Sequence, residues 1–251
     1  MPSMAKRFSV IIPCRNEAAN LPILLDEIER AMQGRDYEIV VVDDGSTDGT
    51  AAGLQGRLDP QRLRLVRHDR SAGQSAALRS GVFAAHGEIV ITLDGDGQND
   101  PAYLPKLADA LIAGGPRMGI AAGQRLKRTD TKLKQLASRF ANGLREAMLR
   151  DGTRDSGCGL KALPTALFRQ LPYFDGWHRY LPALVIREGF AVTHIDVVDR
   201  PRRHGKSNYG ILDRGLRGVL DLIGVWWLRR RRKVVPTATE TLPDGRTDAT
   251  Q

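Results

Sequence analysis

The sequence contains little cysteine, few aromatic residues and no long apolar run. Only Cys14 and Cys158 occur among 251 residues, which argues against a disulfide framework and fits a reducing compartment. Aromatic residues make up 6% of the chain and show no stacking pattern, so nucleic-acid binding is disfavoured. No window approaches the roughly 18 apolar residues of a membrane-spanning helix, and Phe8–Pro13 is too short for the apolar region of a signal peptide. These absences predict a cytoplasmic protein.

Size and charge limit the fold and the partners. A chain of 251 residues accommodates one large α/β domain or two small ones. Its formal net charge of +9 at pH 7 implies an acidic partner, either a nucleic acid, an anionic membrane or a phosphorylated substrate. The scarcity of aromatic residues makes nucleic acid the weakest of the three. Neither GxGxxG nor GxxxxGKS/T occurs, so neither a dinucleotide fingerprint nor a P-loop is supported.

Apolar runs and helical periodicity alternate along the first half of the chain. The runs predict strands, and the helical spacing of apolar residues predicts the helices between them. The predicted strands are Phe8–Pro13, Tyr37–Val42, Leu63–Arg67, Glu88–Leu93 and Met118–Ala122, and the predicted helices are Asn20–Met32, Gln74–Ala85 and Pro101–Ala113. This alternation is typical of a doubly wound α/β fold with a mostly parallel sheet.

Polar clusters directly follow three of these strands. They are Cys14–Glu17, Asp43–Asp48 and Asp94–Gln98. Ligands of such sheets bind outside the carboxyl ends of the strands, so we expect the clusters at one edge. Acidic groups gathered there repel one another, which calls for a cation or a donor-rich ligand. The alternative for each cluster is local, because Asp44 would suit a helix cap and Glu17 a helix dipole.

The third cluster predicts a metal site. If the extended geometry of the strand persists, Asp94, Asp96 and Gln98 point the same way, because side chains repeat every second residue. Three oxygen donors on one side can approach a hard divalent cation such as Mg²⁺ or Mn²⁺. The alternative is an acidic turn, since Asp and Gly are also ordinary turn residues.

Taken together, these motifs resemble the family 2 glycosyltransferases, whose fold is GT-A, the nucleotide-diphospho-sugar transferase fold. The motifs of the first half are Pro13–Glu17, Asp43–Thr50 and Asp94–Gln98. Those of the second half are similar to the polyprenyl-phosphate branch, which includes dolichol-phosphate mannosyltransferase and undecaprenyl-phosphate sugar transferases; they are Asp155–Lys161, His178–Pro182 and Arg202–Tyr209. The chain has Asn208 where the family often has Lys, and Leu160-Lys161 where it often has Phe-Arg.

The resemblance implies roles for the residues that would bind the nucleotide-sugar. Pro13, Arg15 and Glu17, together with Asp44, would hold the base and the ribose. Asp94 would lie near the sugar or the ribose. The divalent cation that bridges the diphosphate would be bound by Asp96, assisted by Gln98 and Asp94. Such a cation neutralises the charge that develops on the leaving group.

The resemblance also implies roles for residues of the second half. Arg202 would clamp the diphosphate, because a guanidinium matches phosphate geometry. Ser207 would contact the substrate, and Asp155 would steady the site or the sugar. The basic stretch Gly123–Lys134 resembles the segment that receives the lipid phosphate, with a solvated loop as the alternative. The residues expected to hold the acceptor phosphate are Arg125, Arg128 and Arg139.

Further elements are predicted in the second half. Helical spacing predicts helices over Leu133–Leu149, Thr165–Leu171 and Arg179–Arg187, and Ala191–Val198 is predicted as a strand. A last helix, Ile211–Leu228, has one polar side and two tryptophans, and five basic residues follow it at Arg229–Lys233. This pattern favours a helix lying in a membrane interface, and the alternative is a helix docked on the domain. Val234–Gln251 is predicted to be disordered.

These expectations combine into one hypothesis. Residues 1–210 form a GT-A domain, 211–233 an amphipathic membrane-surface helix and 234–251 a disordered tail. The enzyme transfers a sugar with inversion from a UDP- or GDP-linked donor to a polyprenyl phosphate such as undecaprenyl phosphate. It acts peripherally on the inner face of the cell membrane, next to anionic lipid and a potential integral-membrane partner protein. The alternatives are a family 2 transferase with a saccharide or other lipid acceptor, a non-catalytic membrane-surface protein and a nucleotidyltransferase.

Overall fold

The structure is a computed structural model that describes residues 7–126, 143–201, 211–232, 238–241 and 247–250. Its central feature is one mixed sheet of seven strands in the order β3-β2-β1-β4-β6-β5-β7. The strands are β1 Phe8–Cys14, β2 Tyr37–Asp43, β3 Leu63–Arg67, β4 Ile89–Thr92, β5 Met118–Arg125, β6 Lys161–Pro164 and β7 Ala191–Val197. All pairs are parallel except those of β6, which is antiparallel to β4 and β5. The predicted mostly parallel sheet is confirmed.

Strand β6 is the member of this sheet that the sequence pattern missed. It has four residues and begins at Lys161, whose side chain is buried. A run this short, with a charged residue at one end, carries no periodicity that separates it from a loop.

Helices cover both faces of the sheet. Their bounds are α1 Leu21–Ala31, α2 Gln74–Ala84, α3 Leu104–Ala113, α4 143–149, α5 Thr165–Gln170, α6 Leu181–Arg187 and α7 Ile211–Arg230. Two predicted helices begin with a separate 3₁₀ turn, at Pro101–Tyr103 before α3 and at Trp177–Arg179 before α6. The predicted helix Leu133–Leu149 lies outside the described residues up to position 142.

The core has two layers, one on each face of the sheet. Val10 and Ile12 of β1 pack in the layer that contains α1 and α3, whereas Ile11 packs in the layer of α2, α5 and α6. All three side chains are fully buried. A strand buried on both faces reads as a continuous apolar run, which is why the sequence pattern found β1 and β2.

The C-terminal segment differs in part from its prediction. Strands β8, Ala238–Thr241, and β9, Thr247–Thr250, pair in an antiparallel way, although Val234–Gln251 was expected to be disordered. Threonine accounts for half of these eight residues, and β-branched residues favour strands. None of the described helices combines the length and the apolar character that crossing a bilayer demands.

Candidate active site

The candidate site lies at the carboxyl ends of β1, β2 and β4. The parallel register pairs Cys14 with Asp43 and Ile11 with Thr92, so the segments that follow these strands leave the sheet at the same edge. A methyl group added at Gly95 would lie 2.8 Å from Cβ of Cys14. The acidic segment after β4 therefore packs directly against the end of β1, as the strand-end rule predicts.

The loops after β1 and β2 are tied together by side-chain hydrogen bonds. Asn16 has a φ of 57°, a left-handed conformation that Asn tolerates better than most residues. Its backbone N–H donates to Oγ of Ser46 (2.9 Å), and its Oδ1 accepts from the backbone N–H of Thr47 (2.8 Å). Arg15 is exposed and Glu17 is partly exposed beside this junction. The predicted nucleotide contacts of Pro13, Arg15 and Glu17 stay predictions.

Asp44 organises the segment before α2. Its carboxylate accepts hydrogen bonds from the Ser71 hydroxyl (2.7 Å) and from the backbone N–H groups of Ala72 and Gly73 (2.8 Å each), and lies 2.7 Å from Nδ1 of His68. Burial raises the pKa of Asp44, but these donors outweigh that effect and leave the pKa lowered. A nucleotide contact from Asp44, which stays a prediction, would compete with four protein groups.

Asp94 is the unusual acid of the site. Burial and the negative charge of Asp96 raise its pKa from 3.8 to about 6, against the opposing charges of Lys161 and Arg125. Its Oδ1 accepts a hydrogen bond from Nε2 of Gln74 at 2.7 Å. A carboxylate with this pKa is half protonated near pH 6, and a nearby cation would favour its ionised form.

The segment from Asp94 to Gln98 is a turn and does not continue the strand. Strand β4 ends at Thr92, Gly97 has a φ of +72°, and the backbone N–H of Gln98 donates to Oδ1 of Asp96 at 3.1 Å. The expectation that extended geometry aligns the three side chains is therefore wrong. Glycine at position 97 is required because other residues rarely adopt this φ.

The donor set nevertheless suits a divalent cation. The described part of the chain contains no cluster of three or more Asp, Glu, His or Cys residues that could hold a metal. The predicted ligands are two carboxylates, Asp94 and Asp96, and the amide of Gln98, and this set stays a prediction. Mg²⁺ characteristically uses one or two carboxylates together with substrate phosphates and water. Burial is the main cause of the raised pKa of Asp94 and the charge of Asp96 adds to it; a bound cation would favour the ionised form.

Arg125 lies at the end of β5 in a network of acids. Its guanidinium forms a two-point ion pair with Asp155, and Nη1 lies 3.2 Å from Oδ2 of Asp199. Nδ2 of Asn99 donates to the other oxygen of Asp199 at 3.2 Å. The hydrogen bonds to Arg125 hold the pKa of Asp155 low despite its burial. Arg125 was predicted to bind the acceptor phosphate, and in this structure carboxylates surround its charge.

Sequence reasoning assigned no role to the residues that complete the site. A narrow cavity beside Asp94 is lined by side chains from α2, β6 and the turn before α6. Its polar members include Gln74, Lys161 and His178. Burial lowers the pKa of Lys161, and burial together with the charges of Lys161 and Arg179 lowers the pKa of His178 to about 3. Both occur in motifs that carry the family resemblance, but only tertiary contacts place them beside Asp94.

Four predicted site residues lie outside the described part of the chain. They are Arg128, Arg139, Arg202 and Ser207.

The fold is the GT-A fold of glycosyltransferases. Glucosyl-3-phosphoglycerate synthase from Mycobacterium tuberculosis, solved in complex with Mn²⁺ and UDP-glucose, superposes with a TM-score of 0.64 at 21% identity, covering 98% of this chain and 86% of that one. The sequence model of glycosyl transferase family 2 matches residues 9–172. The chain belongs to this family, which confirms the prediction from its motifs.

Curated relatives lie in the polyprenyl-phosphate branch. Dodecaprenyl-phosphate galacturonate synthase from Rhizobium johnstonii is 31% identical over 91% of this chain and 69% of its own length. Undecaprenyl-phosphate 4-deoxy-4-formamido-L-arabinose transferases are 32% identical in Aeromonas hydrophila and 34% in Pseudomonas aeruginosa. These two matches cover 82% and 86% of this chain but 64% and 63% of the relatives. The chain thus spans about two thirds of the length of its relatives.

Proposed function

We propose that the protein transfers a sugar from a nucleotide-sugar to a polyprenyl phosphate at the inner face of the cell membrane. The observation that carries the proposal is the acidic turn after β4, where the pKa of Asp94 is raised to about 6 beside Asp96. Two crowded carboxylates at the ligand-binding edge of a GT-A sheet suit a site completed by a cation and a diphosphate. The names of the curated relatives support a polyprenyl-phosphate acceptor.

On the donor side, Asp96, Gln98 and Asp94 would hold Mg²⁺ or Mn²⁺. The bound ion would act as a Lewis acid on the diphosphate. Asp96 and Asp94 would supply charge. Gln98 would supply a neutral oxygen, and its backbone N–H donates to Oδ1 of Asp96. Gln74 orients the carboxylate of Asp94 through its 2.7 Å hydrogen bond.

On the acceptor side, a phosphate oxygen of the lipid would attack the anomeric carbon of the sugar. The new bond joins this oxygen to the anomeric carbon, the bond to the diphosphate breaks with inversion, and the nucleoside diphosphate leaves. The attacking phosphate is already anionic near neutral pH, so positioning and charge neutralisation would supply most of the catalysis. Arg128, Arg139 and Arg202 would hold the phosphates. Asp155 would orient Arg125 by the ion pair between them.

A hydroxyl acceptor is the second candidate, and the pKa of Asp94 favours it. A hydroxyl nucleophile needs a general base whose pKa lies near the working pH. Without a cation Asp94 meets this requirement with its pKa of about 6, and a bound cation would lower that pKa. Asp155 does not, because its pKa is lowered. A saccharide or a neutral lipid would be the acceptor in that case.

The membrane contact would be made by α7. Its buried side, with Leu222 and Val225, packs on the domain. Leu220 and Trp227 remain 61% and 53% exposed, and basic residues 229–233 follow. Exposed tryptophan and leucine next to arginines suit a helix lying at an anionic lipid surface. Docking on the domain and contact with a membrane, the two predictions for this helix, would therefore involve different faces.

The deciding experiment measures consumption of UDP- and GDP-sugars with undecaprenyl phosphate as acceptor. We expect transfer in Mg²⁺ or Mn²⁺, none in EDTA, and recovery when the ion is restored. Asp96→Asn should lower the rate at least roughly 100-fold, since it removes several kcal/mol of charge stabilisation. Asp26→Asn, at an exposed position of α1, is the matched control and should behave as wild type. Transfer to undecaprenol or a saccharide instead of the phosphate would select the second candidate.

A further inference from the structure

The cavity beside Asp94 is lined by a histidine, His178, whose segment is hydrogen-bonded to Ser75 of α2. His178 lies in the 3₁₀ turn Trp177–Arg179, and the turn is entered through Gly176, which has a φ of +88°. The backbone N–H of Gly176 donates to Oγ of Ser75 at 2.9 Å. The indole N–H of Trp177 donates to the carbonyl of Ser75 at 3.2 Å. The first turn of α2 therefore anchors the segment that carries His178.

The same serine sets the tautomer of the imidazole. Oγ of Ser75 lies 2.8 Å from Nδ1 of His178. Ser75 already accepts the N–H of Gly176, and among the described residues Nδ1 is the acceptor within reach of its hydroxyl hydrogen. If this hydroxyl donates to Nδ1, the nitrogen carries no proton and the ring hydrogen resides on Nε2, and this tautomer gives the Ser75 hydroxyl hydrogen an acceptor.

The protonation state of His178 follows from its surroundings. Burial and the positive charges of Lys161 and Arg179 lower its pKa to about 3. The ring is consequently neutral across the physiological pH range. Ser75 is the ring's hydrogen-bond partner in the described part of the chain, and it uses Nδ1. The ring lines a cavity together with Gln74 and Asp94, and Nε2 has no hydrogen-bond partner among the described residues.

We infer that Nε2–H of His178 donates a hydrogen bond to an oxygen of the donor's glycosyl group, and that Ser75 sets this donor by fixing the tautomer. The inference rests on the proposed function. A neutral donor suits a sugar hydroxyl or ring-substituent oxygen, whereas a diphosphate is better served by arginine, lysine or a cation. Asp94 lies in the same cavity and accepts hydrogen bonds, so the pair offers a donor and an acceptor to neighbouring sugar oxygens.

Two amide substitutions separate this role from a structural one. In His178→Asn the amide occupies the place of Nδ1 and can keep the contact with Ser75. In His178→Gln the amide nitrogen reaches the place of Nε2, while the contact with Ser75 is lost. A ligand role predicts that Gln is the better replacement, and a purely structural role predicts that Asn is. His86→Asn is the matched control, because that side chain is 63% exposed and does not line the cavity.

The measurement is calorimetric binding of UDP-glucose, UDP-galacturonate and GDP-mannose against UDP and GDP, in Mn²⁺, with the full chain. For the sugar nucleotide that wild type transfers, we expect His178→Asn to lose roughly tenfold in affinity, the size of one hydrogen bond. The affinity for the corresponding nucleoside diphosphate should be unchanged. The His178→Gln variant should lose less affinity than the His178→Asn variant, and the affinity of the His86→Asn variant should equal that of wild type.

Each other outcome overturns the inference. If Asn retains more affinity than Gln, His178 acts through Ser75 alone. If both variants weaken the binding of nucleoside diphosphate and of sugar nucleotide equally, the ring supports the site without contacting the sugar. If wild type transfers sugar and neither variant changes binding, the inference fails and the proposed function stands. If wild type neither binds nor transfers any of these sugars, the proposed function fails and this inference fails with it.

Discussion

The guanidinium of Arg125 grips the carboxylate of Asp155 at two points, Nε to Oδ2 at 2.5 Å and Nη2 to Oδ1 at 2.8 Å. Arg125 ends β5, and Asp155 belongs to the loop before β6. Since Arg125 also contacts Asp199 beyond β7, one side chain joins three segments around the site. Its conformation is therefore set before any substrate arrives.

Breaking this ion pair should cost stability. We expect Asp155→Asn to lower the free energy of unfolding by about 1.5–3 kcal/mol, because a charged hydrogen-bond donor loses its partner at a mostly buried position. The control is Asp196→Asn, which breaks an exposed pair with Arg154 and should cost less than about 1 kcal/mol. Urea unfolding of both variants measures the difference. Equal losses would show that Asp155 contributes no more than a surface charge.

Substitutions of Arg125 and of Arg128 should impair the protein in different ways. Arg125→Ala should lower stability and weaken the binding of both substrates, because it leaves Asp155 and Asp199 without the guanidinium that they share. Arg128→Ala should raise KM for polyprenyl phosphate far more than for the nucleotide-sugar, by the roughly 1.5–3 kcal/mol of a charge-assisted contact. Steady-state kinetics and thermal unfolding of both variants test this. If Arg125→Ala raised only the KM for polyprenyl phosphate and left stability unchanged, Arg125 would bind the acceptor phosphate directly.

Asp94 should make stability depend on pH. Its pKa rises from 3.8 to about 6 on folding, so the folded chain holds a proton that the unfolded chain releases between these values. The stability that the neutral carboxyl provides is complete below pH 3.8 and is lost as the pH rises to about 6. The loss would approach roughly 3 kcal/mol. Asp94→Asn should remove this slope, and Asp26→Asn should not.

A divalent cation should also flatten the slope, because it favours the ionised carboxylate. Chemical unfolding from pH 4 to 7, with and without Mn²⁺, measures both effects. An unchanged slope in Asp94→Asn would show that another group titrates, and an unchanged slope in Mn²⁺ would place the ion away from Asp94.

Gly159 should tolerate no side chain. A methyl group there would lie 2.6 Å from Cγ and Oδ1 of Asp94 and 2.6 Å from Oδ1 of Asn99. We expect Gly159→Ala to destabilise the fold by about 1–3 kcal/mol through overpacking and to lower transfer by displacing Asp94. Gly53→Ala, which meets no atom within 4 Å, is the control for unfolding and for activity. Wild-type stability and activity of Gly159→Ala would show that the loop before β6 shifts enough to accommodate the methyl group.

The two sides of α7 should respond differently to substitution. Leu220→Ser combined with Trp227→Ser should reduce sedimentation with phosphatidylglycerol vesicles and leave stability intact, because both side chains are exposed. Leu222→Ala should instead lower stability by about 2 kcal/mol or more, since Leu222 is buried. Phe83→Ser, at an equally exposed position on α2, is the control for lost apolar surface.

Salt and lipid charge complete this experiment. Binding should weaken as salt rises and be poor on phosphatidylcholine alone, because the arginines after Leu228 remain near water. Vesicle binding that survives the double substitution would assign attachment to another part of the protein.

The pattern of apolar and polar residues predicts the layers of this fold and the edge at which the candidate site lies. A strand covered on both faces must be apolar throughout. Apolar runs such as Val10–Ile12 therefore predict such strands from a few consecutive residues. The polar clusters at the strand ends follow from the same logic, since strand direction alone brings Asp43 and Asp94 to one edge. The family followed from the joint occurrence of these motifs.

The contacts that the site residues make follow only from the tertiary structure. No periodicity predicts the ion pair of Arg125 with Asp155 or the cavity that gathers Gln74, Lys161 and His178, because these residues are far apart in sequence and meet only in the folded chain. Strand β6 is too short to show a periodic pattern. The pKa of Asp94 likewise depends on burial and on charges that other strands deliver. A sequence records which groups a protein carries. Packing fixes their distances, and charge interactions and desolvation depend on those distances.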